Sequence, residues 1–166
     1  CDLDRIKLEN ELNKIISCFS GSKLEKDKLE ALLNIKQNDN FNTLKNEALM
    51  GNKNKVNKLI SDTYIENEKS VYYLSLINQR LFKLLETQKL HKKFSKEEAV
   101  NKIKPPIFWK DKPVFLNQLN KWDKDKITKM LKNTYSLEKR LKSLISFNQN
   151  ILIKKLLIDL CNQANA

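Results

Sequence analysis

Behind Asp2, apolar residues recur three and four positions apart at Leu3, Ile6, Leu8, Leu12, Ile15, Ile16 and Phe19. That is the spacing of one face of an α-helix. It predicts a helix over roughly 2–19, closed by Gly21 where a left-handed cap is wanted. Leu29, Leu32 and Leu33 predict a short second helix. The run Gln37, Asn38, Asp39 and Asn40 then breaks the periodicity with residues that favour caps and turns. A domain boundary is placed there, giving a first part of residues 1–38 and a second of 39–166.

In the second part, Phe41, Leu44, Ala48 and Leu49 predict a helix ending at Gly51. Val56, Leu59 and Ile60 predict its partner in a tight helical hairpin. Between roughly 67 and 90, Val71, Tyr72, Leu74, Leu76, Ile77, Leu81, Phe82, Leu84 and Leu85 cover most of a helix circumference. Such a pattern predicts a central helix enclosed by others. Ser95 and Glu98 form a capping box for a short helix running to Ile103. Pro105, Pro106 and Pro113 then stop one helix and start the next. Between them Ile107, Phe108 and Trp109 are large apolar residues in non-helical chain, which must pack on something. Phe115, Leu119 and Trp122 line the following helix. Asp123 caps another, carrying Ile127, Met130, Leu131, Leu137, Leu141 and Leu144, and Asn148 opens the last, with Ile151, Leu152, Leu156, Leu157 and Leu160. No internal repeat of fixed period is visible.

Composition narrows the fold class. Two glycines and three prolines in 166 residues leave little for hairpin turns, Gly-rich phosphate loops or flexible linkers, so the expected fold is all-α. With 40% apolar residues the chain can build one ordinary core or two small ones. The formal charge of +12 invites a nucleic-acid reading, but 29 of the 32 basic residues are Lys and only Arg5, Arg80 and Arg140 are Arg. Together with 20 Asn and 14 Ile this resembles AT-rich codon drift. Lysine brings a point charge where arginine brings a planar fork, which weakens any case for sequence-specific binding. The charge is nevertheless uneven: residues 1–38 hold 7 basic and 7 acidic groups, whereas 88–142 hold 16 basic and 6 acidic.

Catalytic and metal devices are not legible. One His and three Cys (Cys1, Cys18 and Cys161) make neither a zinc site of familiar spacing nor a disulfide framework. His91, followed by Lys92 and Lys93, reads as a solvated residue at a helix end. The pairs Glu97 and Glu98, and Asp123 and Asp125, sit at helix starts, where carboxylates complement the dipole. Gly21 and Gly51 are too far apart in sequence for a phosphate-cradling loop. No apolar run reaches the roughly 18 residues of a membrane span, and no signal peptide opens the chain, so a cytoplasmic protein with reduced cysteines is expected.

The segment KPPIFWKDKPVFLNQLNKW (Lys104 to Trp122), followed by a helix containing YSLEKRLKS (Tyr135 to Ser143) and an apolar terminal helix, goes further. It resembles the C-terminal region of the delta subunit of bacterial DNA polymerase III, in its alphaproteobacterial form. LENELNKIISCFSG (Leu8 to Gly21) with KLEALL (Lys28 to Leu33) looks like the end of that family's helical lid domain. ALMGNKNKVNKLI (Ala48 to Ile60) looks like the hairpin opening its collar domain. The turn TYIENEKS (Thr63 to Ser70) departs from the family in lacking Gly or Pro.

The resemblance implies a lid remnant over 1–38 and a multi-helix collar, or oligomerisation domain, over 39–166. It also implies a truncated protein, because the family's N-terminal ATPase-like domain has no counterpart here. The implied role is non-catalytic, without cofactor or metal: assembling the pentameric clamp loader that places the sliding clamp on primed DNA in replication. The partners implied are the gamma/tau and delta-prime subunits through the collar, the sliding clamp through the missing domain, and primed DNA in the assembled loader, with no membrane. Ile107, Phe108, Trp109, Phe115 and Trp122 are the subunit-interface candidates, an aromatic group at a proline-fixed corner. Two other functions compete. One is an independent basic helical nucleic-acid-binding domain using 88–142; the other is a surface lipoprotein acylated on Cys1.

Overall fold

The computed structural model describes residues 5–21, 23, 25, 28–29, 38–143 and 148–166. Among them are eight α-helices, two short 3-10 turns and no strand, so the fold is all-α. Two compact units make up the chain, Cys1–Gln37 and Asn38–Ala166.

In the first unit, α1 spans Arg5–Phe19 and Gly21 follows with φ +81°. Leu12 and Ile16, members of the predicted apolar stripe, are exposed, while Ile15 and Phe19 are half-buried. Lys28 and Leu29 are helical, with the Leu29 N–H donating to the Glu25 carbonyl at 2.9 Å. Leu32 and Leu33 of the predicted second helix lie outside the described residues.

The second unit begins with α2, Asn38–Leu49. The polar run at its start, read above as a break, forms the first turn of this helix from Asn38 onward. Asn and Asp serve helix starts as readily as turns, because both positions present backbone groups that need a side-chain partner. At the other end the Gly51 N–H donates to the Ala48 carbonyl at 3.0 Å and the Asn52 N–H to the Glu47 carbonyl at 3.1 Å, with Gly51 at φ +72°. This double bond pattern around a left-handed residue is a Schellman cap. It turns the chain directly into α3, Lys53–Asp62, completing the predicted hairpin.

A 3-10 turn at Asn67–Lys69 leads into α4, Ser70–His91, the central helix. Lys96–Lys102 forms α5, Lys112–Lys121 α6, Lys124–Ser143 α7 and Gln149–Asn165 α8. Helix α4 packs on α5, α6, α7 and α8, while α8 also closes over the α2–α3 hairpin. Tyr73, Leu74, Ile77, Leu81 and Leu84 are its buried side. The expectation that neighbours enclose α4 all round is corrected, because Val71, Tyr72 and Phe82 face out, Phe82 at 57% exposure. Periodicity counts apolar residues around a helix without telling a covered face from one left bare.

The punctuation follows the sequence closely. Ser95 and Glu98 exchange bonds, Glu98 N–H to Ser95 Oγ at 3.3 Å and Ser95 N–H to Glu98 Oε2 at 3.0 Å. Asp123 Oδ1 accepts from the Lys126 N–H at 2.8 Å, and Pro113 lies in the first turn of α6. Asn148 precedes α8, but its side chain makes no capping bond. Leu144, expected on α7, falls outside the described residues.

Polar ties lock the hairpin to the rest of this unit. The buried Trp122 Nε1–H donates to the Leu49 carbonyl at 2.7 Å, and Asn165 Nδ2 to the Gly51 carbonyl at 2.7 Å. Gln88 Nε2 spans the end of α6, donating to the carbonyls of Leu119 at 3.0 Å and Trp122 at 2.5 Å. The ties to Leu49, Leu119 and Trp122 satisfy carbonyls at helix ends that lack an intrahelical partner, while the Gly51 carbonyl accepts from the Lys53 N–H as well as from Asn165.

Candidate functional site

The proline-rich segment after α5 places the five interface candidates in two different environments. Ile107 is buried together with Ile103, so the extended chain is buttoned to the core on both sides of Pro105 and Pro106. Phe115 and Trp122 are fully enclosed. These three are spent within the unit's own core, and an outside partner has no access to them. Phe108 and Trp109 point the other way, at 57% and 67% exposure. Their rings lie 5.8 Å apart at 48°, at the head of the 3-10 turn Trp109–Asp111 that leads into α6. Lys110 Nζ stands 5.2 Å from the centre of the Trp109 ring.

Anchored by Ile107 on one side and by Phe115 on the other, this corner holds two aromatic side chains in water with little freedom of the backbone beneath them. Aromatic residues held on rigid backbone are the usual anchors of protein interfaces. The bare face of α4 adds Val71 and Tyr72 to the exposed apolar surface of this unit.

A second cluster escaped the sequence reading. Arg80 rises from α4 towards α6, where its Nε–H donates to Gln118 Oε1 at 2.7 Å and its guanidinium lies 4.5 Å above the Phe115 ring. Gln118, fully buried, donates from Nε2 to the Asn46 carbonyl at 3.3 Å. Lys45, next to Asn46 on α2, is held down to about 8, chiefly because burial disfavours its charge and also because Arg80 repels it. Burial likewise lowers Arg80, to about 10, against the opposing pull of Asp111. One signal could have found this cluster: Arg80 is one of only three arginines and sits inside the most apolar run of the chain.

The remaining candidates take structural roles. His91 ends α4 half-buried, its Nδ1 3.1 Å from the Phe94 carbonyl, a tie at the helix end where simple solvation was expected. Glu98 and Asp123 are occupied as caps, and the bond from the Ser95 N–H holds the Glu98 carboxyl below the usual range. Cys18 is exposed and Cys161 buried, and burial pushes the Cys161 thiol up; Cys1 lies outside the described residues. Among the described residues no three His, Cys, Asp or Glu side chains converge as a metal site, and no helix is long and apolar enough to cross a membrane. No family model, curated protein or solved structure matches the chain.

Proposed function

We propose that this chain is the lid and collar region of a clamp-loader delta subunit, a non-catalytic assembly module that joins the gamma/tau and delta-prime subunits. The observation that carries the reading is the exposed Phe108 and Trp109 pair, held between a buried Ile107 and a buried Phe115 in the segment that also carries the sequence resemblance. A helical unit that keeps two aromatic residues on a braced corner and a bare apolar strip on its central helix has surface suited to helix packing against neighbours. The test pairs assembly with stability. Trp109→Ala is expected to abolish association with the collar-bearing ATPase subunits while leaving the melting temperature within about 2 °C of wild type. Association that survives Trp109→Ala and a Phe108→Ala, Trp109→Ala double variant would remove the corner from the interface.

A second reading, an independent nucleic-acid-binding domain, is favoured by a different observation. Lysine ammonium groups stand over aromatic rings at Lys110 on Trp109 (5.2 Å), Lys139 on Tyr135 (4.7 Å) and Lys102 on Phe94 (4.0 Å). Of these rings Trp109 and Tyr135 are exposed, and cations beside exposed aromatics suit phosphates and stacked bases.

A further inference from the structure

Helix α7 carries seven basic residues and two acidic ones. Its buried residues, Ile127, Met130, Thr134 and Leu141, set the roll of the helix against α4 and α8. That roll turns Lys132, Tyr135 and Lys139 outward. All three are exposed, and steps of three and four positions put them on one strip of surface. At about 1.5 Å of rise per residue the two lysines stand about 10 Å apart along the axis, with the tyrosine between them. Lys139 Nζ lies 4.7 Å from the centre of the Tyr135 ring, which stays 60% exposed. The cations of the strip are not neutralised from within. Glu138, beside Lys139 in sequence, is taken by Lys142 at 2.6 Å. Neither Lys132 nor Lys139 belongs to an ion pair among the described residues.

We propose that this strip of α7 binds single-stranded nucleic acid, with Tyr135 stacking on a base and Lys132 and Lys139 holding phosphates on either side of it. The inference rests on the nucleic-acid reading given above and gives it a face and a strand type. Uncompensated cations flanking an exposed ring suit a polyanion that carries flat groups between its charges, which is the repeat of a nucleic-acid strand. An acidic protein segment supplies the charges without the flat groups. The strand is single because a ring on a convex helix surface stacks only on a base that is already free. A duplex keeps its bases stacked on one another and shows only their edges in its grooves. Planar forks read such edges best, and the cations of the strip are the point charges of lysine. Binding therefore follows the backbone and is indifferent to sequence.

The test is fluorescence anisotropy of the whole chain with a labelled strand of about fifteen thymidines, at about 20 mM salt and upward. Tyr135→Ala is expected to weaken binding about fivefold or more, and Tyr135→Phe, which keeps the ring, to stay within about twofold of wild type. Lys132→Gln and Lys139→Gln should each lower the slope of log affinity against log salt by about 0.7, the share of one phosphate contact on a single strand. Lys58→Gln, exposed on α3, should leave affinity and slope unchanged. Circular dichroism of each variant checks that the helices persist. A duplex of the same length should bind more weakly than the single strand. Binding that none of the three α7 positions alters would overturn the inference and leave the nucleic-acid reading standing, whereas absence of any binding would overturn both. Equal or tighter binding of the duplex would overturn the choice of strand. Polyglutamate of matched charge competing as well as unlabelled thymidine strand would overturn the choice of nucleic acid over an acidic protein.

Discussion

The chain holds two tryptophans in opposite environments, and replacing each in turn separates core from surface in one experiment. Trp122 is fully enclosed and its indole N–H is the partner of the Leu49 carbonyl at 2.7 Å. That carbonyl belongs to the last turn of α2, so no intrahelical donor replaces the indole. Trp122→Phe leaves it buried and unpaired, at about 1–3 kcal/mol, and opens a small cavity as well, for a total of about 2–4 kcal/mol. Trp122→Ala adds the loss of the ring and reaches about 5 kcal/mol, a large share of the 5–15 kcal/mol that holds a domain together. Trp109→Ala, at 67% exposure, should stay within about 0.5 kcal/mol. Urea titrations followed by far-ultraviolet circular dichroism supply the three values. Trp109→Phe also leaves Trp122 as the lone tryptophan, whose selectively excited fluorescence should be blue-shifted until the chain unfolds. A Trp109→Ala cost equal to that of Trp122→Ala, or a Trp122→Phe cost below about 0.5 kcal/mol, would refute the division of the aromatic group into core and corner.

Three further outcomes are expected. Because Lys45 is lowered from 10.5 to about 8, the unfolded chain binds more protons than the folded one between those values, and stability should rise with pH across that window. The full shift corresponds to about 3 kcal/mol, reduced to roughly 1–2 kcal/mol because part of the side chain meets water, and urea midpoints at pH 7 and pH 10 should show a rise that Lys45→Met removes. A Cβ at Gly51 would come within 2.6 Å of Asn165 Oδ1 at a φ of +72°. Gly51→Ala should therefore cost roughly 2 kcal/mol, and a double-mutant cycle with Asn165→Ala should recover the steric part. Finally, lysines spread over several helices should bind DNA weakly and without sequence preference at low salt, with binding lost near physiological salt; anisotropy titrations with two unrelated sequences check both points.

The helical frame was readable because its signals are local. The Ser95 and Glu98 box, Asp123, Pro113 and Gly51 act within one turn of their own positions, and each stands where its chemistry placed it. Burial is a long-range property and was less legible. Phe108 and Trp122 are both large aromatic residues in one short segment, yet one is in water and the other sealed by Leu49, from the far side of the hairpin. Likewise Val71, Tyr72 and Phe82 read as core residues of α4, because nothing in the sequence says how many helices will gather around it. The Arg80 and Gln118 contacts join α4, α6 and, through the Asn46 carbonyl, α2, a meeting that no spacing rule encodes.

The central claim is the proposal that residues 39–166 form a collar which assembles with its neighbours. Its most direct test mixes the whole chain with the collar-bearing gamma/tau and delta-prime subunits of the same organism at micromolar concentration. The mass of the product is then measured by light scattering behind a sizing column. The account predicts a discrete complex containing one copy of this chain. Separate elution of the chain, with its helical circular dichroism spectrum intact, would contradict it.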